Sequence, residues 1–139
     1  MSSTGSSISI SVDLYLGQTV TVTYEARNFL RKPTFDNKIK VALSKGQPFI
    51  RFMEKAADTD PKMRFNFTAT YYPNLGYFIN KLNNVQSDRC AYWLLLKPPN
   101  IPTKKGVSSY IPVNGETLIF NFTDHWPGQG YCSGLQNGL

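Results

Sequence analysis

Few residues in this chain could carry out chemistry. There is one histidine, His125, flanked by Asp124 and Trp126, and there are two cysteines, Cys90 and Cys132. A zinc site needs four converging ligands, and no second histidine or C-x-x-C pair is present to supply them. Cys90 and His125 could form a thiol nucleophile and its base only if the fold brought them together, and a disulfide at Cys90 would remove the nucleophile. Asp58 and Asp60, on either side of Thr59 and just before Pro61, read as a helix exit or loop rather than an acid/base pair. The chain has no G-x-G-x-x-G, P-loop or G-x-S-x-G pattern. These residues point away from an enzyme.

The cysteines carry structural information instead. Paired, they would close a loop of about 40 residues, a constraint that stabilises by ~3–4 kcal/mol in the loop-entropy account; unpaired, they would be two separate buried thiols. Asn66-Phe67-Thr68 and Asn121-Phe122-Thr123 are both N-x-[ST] sequons on strand-like sequence, where a glycan at Asn66 or Asn121 would sit on a polar face. Sequons and a cysteine pair together predict a secreted, extracellular protein. On that reading Met1 stands where a signal peptide has been removed, and the Ser-rich residues 1–7 are a disordered lead-in.

The elements that must position these residues follow from periodicity. Ile8, Ile10, Val12, Leu14 and Leu16 alternate with polar residues, predicting a strand. Val20, Val22 and Tyr24 alternate with threonines in a second strand, either an antiparallel partner or an addition to the sheet. Pro33 and Asp36-Asn37 make 27–38 an irregular connection before a short strand at 39–43. A helix is expected over about 47–57, with Ser44 or Gly46 as cap and Pro48 in the first turn. Its apolar stripe is Phe49, Ile50, Phe52, Met53, Ala56 and Ala57. Period two returns at 63–71 and again after the Pro73–Gly76 turn, in a strand that runs from Tyr77 to Val85 and loosens at Asn83-Asn84. Cys90–Leu96 reads as a central strand ended by Lys97-Pro98-Pro99, 108–111 as a short strand, Asn114-Gly115 as a turn, and Leu118, Phe120 and Phe122 as the last strand.

The 139 residues, with 41% hydrophobic and 17% charged side chains, make one globular domain of α+β class. It is a mostly antiparallel sheet packed on one helix with an extra N-terminal strand, spanning 8–126, followed by a tail at 127–139 tied back through Cys132. The excess of positive charge, +6 overall, lies in residues 27–64, which hold ten Lys and Arg against four acids. Such a segment suits acidic glycans or other acidic polymers, as in a structural or interaction protein of an extracellular fluid, matrix or coat. It lacks the interleaved stacking aromatics of a nucleic-acid module. No apolar run is long enough to span a bilayer as a helix.

Several segments, in order, resemble a known family. Asn74-Leu-Gly-Tyr-Phe-Ile-Asn-Lys-Leu-Asn, Tyr92-Trp93-Leu-Leu-Leu, Gly106-Val-Ser-Ser-Tyr110-Ile-Pro and Asn114-Gly-Glu-Thr-Leu-Ile-Phe-Asn-Phe are similar to the C-terminal β domain of the transcobalamin and intrinsic factor family. The match runs over about residues 20–124. The resemblance implies a β-grasp-like fold and a non-enzymatic binding role. In the vitamin carriers this domain covers one face of cobalamin, and a helical domain, which these residues do not contain, covers the other. Cobalamin is thus the candidate ligand, alongside another small molecule or a separate protein chain. The resemblance places ligand contacts at Asn74, Leu75, Gly76, Ile79, Trp93, Leu95, Ile101 and Thr103. The loop after Lys97 departs from the family pattern, carrying Pro98-Pro99 and then Lys104-Lys105.

Overall fold

The computed structural model describes residues 18–126 and 130–131. The expected strand at 8–16 and the tail with Cys132 lie outside these residues. The described elements are β1 (Thr19–Asn28), β2 (Phe35–Ser44), α1 (Phe49–Thr59), β3 (Phe67–Tyr72), β4 (Gly76–Leu82), β5 (Val85–Gln86), β6 (Tyr92–Lys97), β7 (Ile101–Pro102), β8 (Thr117–Thr123), β9 (His125–Trp126) and β10 (Gly130–Tyr131). This is mostly strand with one short helix among the described residues, consistent with the α+β expectation.

A five-stranded sheet has the order β2-β1-β8-β6-β7, and a three-stranded sheet the order β3-β4-β5. Within the larger sheet β1 runs parallel to β8, and every other neighbouring pair is antiparallel. Alternation fixes its inner face. Val20, Val22, Tyr24 and Ala26 of β1 line up with Leu118, Phe120 and Phe122 of β8 and with Trp93 and Leu95 of β6, and all are buried. The helix lays its buried residues Phe49, Phe52, Met53 and Ala56 on this face, and Phe49 meets Tyr24 edge-on at 5.2 Å between ring centroids. Helical spacing in the sequence predicts that stripe, because 3.6 residues per turn bring these positions to one side.

Four local expectations are corrected. The connection after β1 is shorter than 27–38, because the fully buried Asn28 closes it. Its amide donates to the carbonyls of Arg31 (2.7 Å) and Pro33 (2.8 Å), and its Oδ1 accepts from the N–H groups of Leu30 and Arg31. Asp36 and Asn37 therefore sit inside the edge strand β2. Neither Ser44 nor Gly46 caps the helix. Pro48 is the N-cap, and it provides no side-chain cap bond. The backbone of 107–110 serves instead, with Phe49 N–H donating to Tyr110 O (2.8 Å) and Ile50 N–H to Val107 O (3.0 Å). The chain turns there, with Ser109 N–H (3.1 Å) and Tyr110 N–H (2.9 Å) both donating to Gly106 O, so 108–111 forms a strap rather than a strand. The third strand begins at Phe67, not Met63. Asp60 turns the chain there, accepting from Arg64 N (2.8 Å), Nε (3.1 Å) and Nη2 (2.9 Å), and Met63 takes a positive φ of 60°. Finally, Asn83 and Asn84 do not fray a long strand. With φ of 49° and 66° they form the tight two-residue turn joining β4 to β5, a conformation asparagine tolerates better than most residues.

Candidate functional site

The strap over residues 103–111 organises the candidate site. It is pinned at both ends and in the middle. Thr103 N–H donates to Leu95 O (3.1 Å) and its hydroxyl to Lys105 O (2.8 Å); Val107 and Tyr110 hold the helix N-terminus; Tyr77 N–H donates to Ser108 Oγ (2.8 Å). Gly76 makes that last approach feasible. It has φ of +92°, and a Cβ there would lie 2.7 Å from Ser108 Oγ and 2.9 Å from Ser108 Cβ.

Two cavities flank the strap. One, of about 330 Å³, opens between β4 and β6, with Ile79, Trp93, Leu95 and Val107 lining it alongside Tyr77 and Phe78. The first four residues are nearly fully buried, whereas Tyr77 and Phe78 are 44% and 37% exposed, so the aliphatics and the indole make a floor and the two aromatics a rim. Trp93 is locked, its indole N–H donating to Val85 O (3.0 Å) and its ring packed on Phe122 at 5.0 Å. The other cavity, of about 470 Å³, lies against β7 and is lined by Lys97, Ile101, Pro102, Tyr110 and Ile111 among others. Thr103, Lys104 and Lys105 line both.

Of the expected contact residues, Ile79, Trp93, Leu95 and Thr103 thus meet at one cavity, and Ile101 with Thr103 at its neighbour. Asn74, Leu75 and Gly76 form the tip of the β3–β4 hairpin and line neither cavity. Leu75 there is 84% exposed, and the tip meets the strap where Gly76 and Tyr77 approach Ser108. Sequence reasoning passed over Tyr77, Phe78, Lys97, Tyr110 and Ile111. Alternation could have reached two of them, since Tyr77 shares a side of β4 with Ile79, and Lys97 a side of β6 with Trp93 and Leu95.

At the outer end of the strap the Tyr110 hydroxyl donates to Glu116 Oε2. Lys97 Nζ lies 3.7 Å from the same carboxylate and 5.7 Å from the centroid of the Tyr110 ring. The hydrogen bond to Tyr110, followed by the charge of Glu116, pushes the Lys97 ammonium above its ordinary value. Burial, and then the bond to Glu116, push the Tyr110 hydroxyl up. Lys97 therefore stays cationic and Tyr110 neutral at physiological pH. Among the described residues no group of three or more His, Cys, Asp or Glu side chains could hold a metal ion.

The basic segment is less open than its composition suggests. Its four arginines all engage carboxylates: Arg27 with Glu25 (3.8 Å), Arg31 with Asp88 (2.8 Å), Arg51 with Glu54 (2.9 Å) and Arg64 with Asp60 (2.9 Å). Cys90 is buried, and its expected partner lies outside the described residues. Asn66 is exposed just before β3, whereas Asn121 is half-buried on β8 with its Oδ1 accepting from Arg27 Nε at 3.2 Å.

An aromatic-rimmed cleft between two sheets, flanked by a pinned strap, is what a domain of α+β class presents here. Comparison with known proteins specifies which. The chain is 30% identical over 110 residues to human cobalamin binding intrinsic factor, covering 76% of this chain and 25% of that protein, and 29% identical over 110 residues to the mouse protein with the same coverage. Among solved structures, haptocorrin in complex with Cbi matches with a TM-score of 0.64 at 25% identity, over 78% of this chain and 26% of that one. A Ruminococcus gnavus protein described as metal-binding matches with a TM-score of 0.60 at 9% identity, over 77% of this chain and 99% of that one, a likeness of fold alone. No protein-family model matches. The chain is a transcobalamin-like C-terminal domain, homologous to the C-terminal region of intrinsic factor, and it spans about a quarter of the length of the curated relatives it matches.

Proposed function

We propose that this chain is a secreted, non-enzymatic ligand-binding module that takes cobalamin or a similarly large ring-shaped ligand against the cleft between β4 and β6. The observation that supports this most is the convergence of Ile79, Trp93, Leu95 and Thr103, expected as ligand contacts from the family resemblance, at one cavity. Leu75, Gly76 and Asn74 extend the surface along the hairpin tip, and Ile101 extends it towards β7. The fold reads as β-grasp-like, a helix held across a sheet whose parallel pair β1–β8 lies inside antiparallel flanks. Cys90 and Cys132 form a disulfide on this reading, and Asn66 is the accessible glycan acceptor. Asn121 would have to give up its bond to Arg27 to carry one.

A wall on one side desolvates one face of a ring-shaped ligand, while the cost of immobilising the ligand is the same as in a full enclosure. Binding is therefore expected to be weak. Titration of the chain with cobalamin, followed by visible absorbance, should show saturable binding with a Kd between about 10 µM and 1 mM, a range of roughly 4–7 kcal/mol. A flat titration up to about 1 mM would remove cobalamin as the ligand.

A further inference from the structure

The strap carries a charge pattern that an apolar cleft alone does not need. Lys104 and Lys105 are exposed at its crest, line both cavities, and make no side-chain hydrogen bond or ion pair among the described residues. Lys97 lines the larger cavity from the side but is already paired with Glu116 at 3.7 Å, and no carboxylate lines either cavity. The cavity beside the helix differs, since its Arg51 and Lys55 are balanced by Glu54 and Asp58. Apolar surface adjoins the lysines, with Ile101 and Ile111 55% and 56% exposed. The bonds of Thr103, Val107, Ser108 and Tyr110 fix the strap on either side of Lys104 and Lys105, two adjacent positive residues with no ion pair among the described residues.

We propose that the Lys104–Lys105 crest receives an anionic group, so that the ligand of this cleft is an amphiphilic anion: an apolar, ring-sized body bearing a phosphate, sulfonate or carboxylate. This rests on the reading of the cleft as a ligand site but not on cobalamin being the ligand. The body would lie on Tyr77, Phe78 and Ile101, and the anion would meet the ammonium groups at the rim, where solvent remains. Attraction at such a site is screened by salt.

The test is a fluorescence titration with 8-anilinonaphthalene-1-sulfonate, an apolar anion, beside its neutral analogue N-phenyl-1-naphthylamine. Wild type, Lys104→Gln/Lys105→Gln and the control Lys40→Gln/Lys45→Gln are compared. The control lysines are exposed on and just after β2, at the opposite edge of the sheet from β7. The crest variant should bind the anion about five- to tenfold more weakly, as expected for two exposed charges. The control should stay within about twofold of wild type, raising the salt from 0.05 to 0.5 M should shrink the difference, and the neutral probe should not distinguish the three proteins. Equal weakening of both probes, equal weakening in the control, an unchanged crest variant, or no saturable anion binding by wild type would each overturn the proposal. None of these outcomes depends on the cobalamin titration, so either reading can fail alone.

Discussion

Replacing Gly76 with alanine should disturb the cleft from outside it, through the contact between the hairpin tip and the strap. Two costs arise. A side chain at φ of +92° meets the steric penalty of left-handed backbone, about 1–2 kcal/mol. The new Cβ, within 2.9 Å of both Ser108 Oγ and Ser108 Cβ, forces the strap or the hairpin to shift, an overpacking cost of about 1–3 kcal/mol. Gly76→Ala should therefore destabilise by about 3 kcal/mol. Ser108→Gly removes both opposing atoms but forfeits the bond from Tyr77 N–H, about 1 kcal/mol. If the contact is as described, the double variant escapes the overpacking and should cost about 2–3 kcal/mol rather than the additive ~4, a coupling of about 1–2 kcal/mol. Urea denaturation of the four proteins, with unchanged m-values, supplies the cycle. Additivity to within about 0.5 kcal/mol would refute the proposed seam, as would a Gly76→Ala protein as stable as wild type.

Two further expectations concern stability and covalent state. Arg64 beside Asp60 holds that carboxyl below its usual range, so the contribution of the pair is complete above the unfolded carboxylate value near 4 and is lost as pH falls through the lower folded value. Asp60→Asn should thus cost about 1 kcal/mol at pH 7, modest because Arg64 is partly exposed, and its deficit should shrink on acidification below about pH 4; parallel stability curves down to pH 2 would contradict this. When the chain is expressed through a secretory route, intact mass should reveal one glycan, at Asn66, and no alkylatable thiol before reduction. Two reactive thiols in denaturant would rule out the Cys90–Cys132 bridge, and a glycan on Asn121 would show that its contact with Arg27 does not protect it.

Much of the fold is legible in the sequence wherever a periodic face is buried. The alternation of Val20, Val22 and Tyr24, that of Leu118, Phe120 and Phe122, and the stripe of α1 apart from the half-buried Ala57 correspond to buried positions, because one side of each element meets the core. Legibility fails where backbone groups find their partners outside regular elements. The carbonyls of Val107 and Tyr110 that cap the helix carry no residue signature, so 108–111 reads as a strand by its Ser-Ser-Tyr-Ile composition. Asn28 reads as ordinary loop polarity, yet its buried amide binds four backbone groups and shortens the connection. The cleft is partly legible for the same reason. Strand parity leads from Ile79 to Tyr77 and from Leu95 to Lys97, but the strap that brings Lys104, Lys105 and Tyr110 beside them forms no regular element.

The central claim, that the cleft between β4 and β6 is where ligand binds, is tested most directly by following backbone amide chemical shifts as cobalamin is added to the isotopically labelled chain. The account predicts saturable shifts concentrated in 74–79, 93–97 and 101–110, with β2 and the exposed side of α1 unmoved. Shifts centred on β2 or the helix, or none up to millimolar ligand, would contradict it.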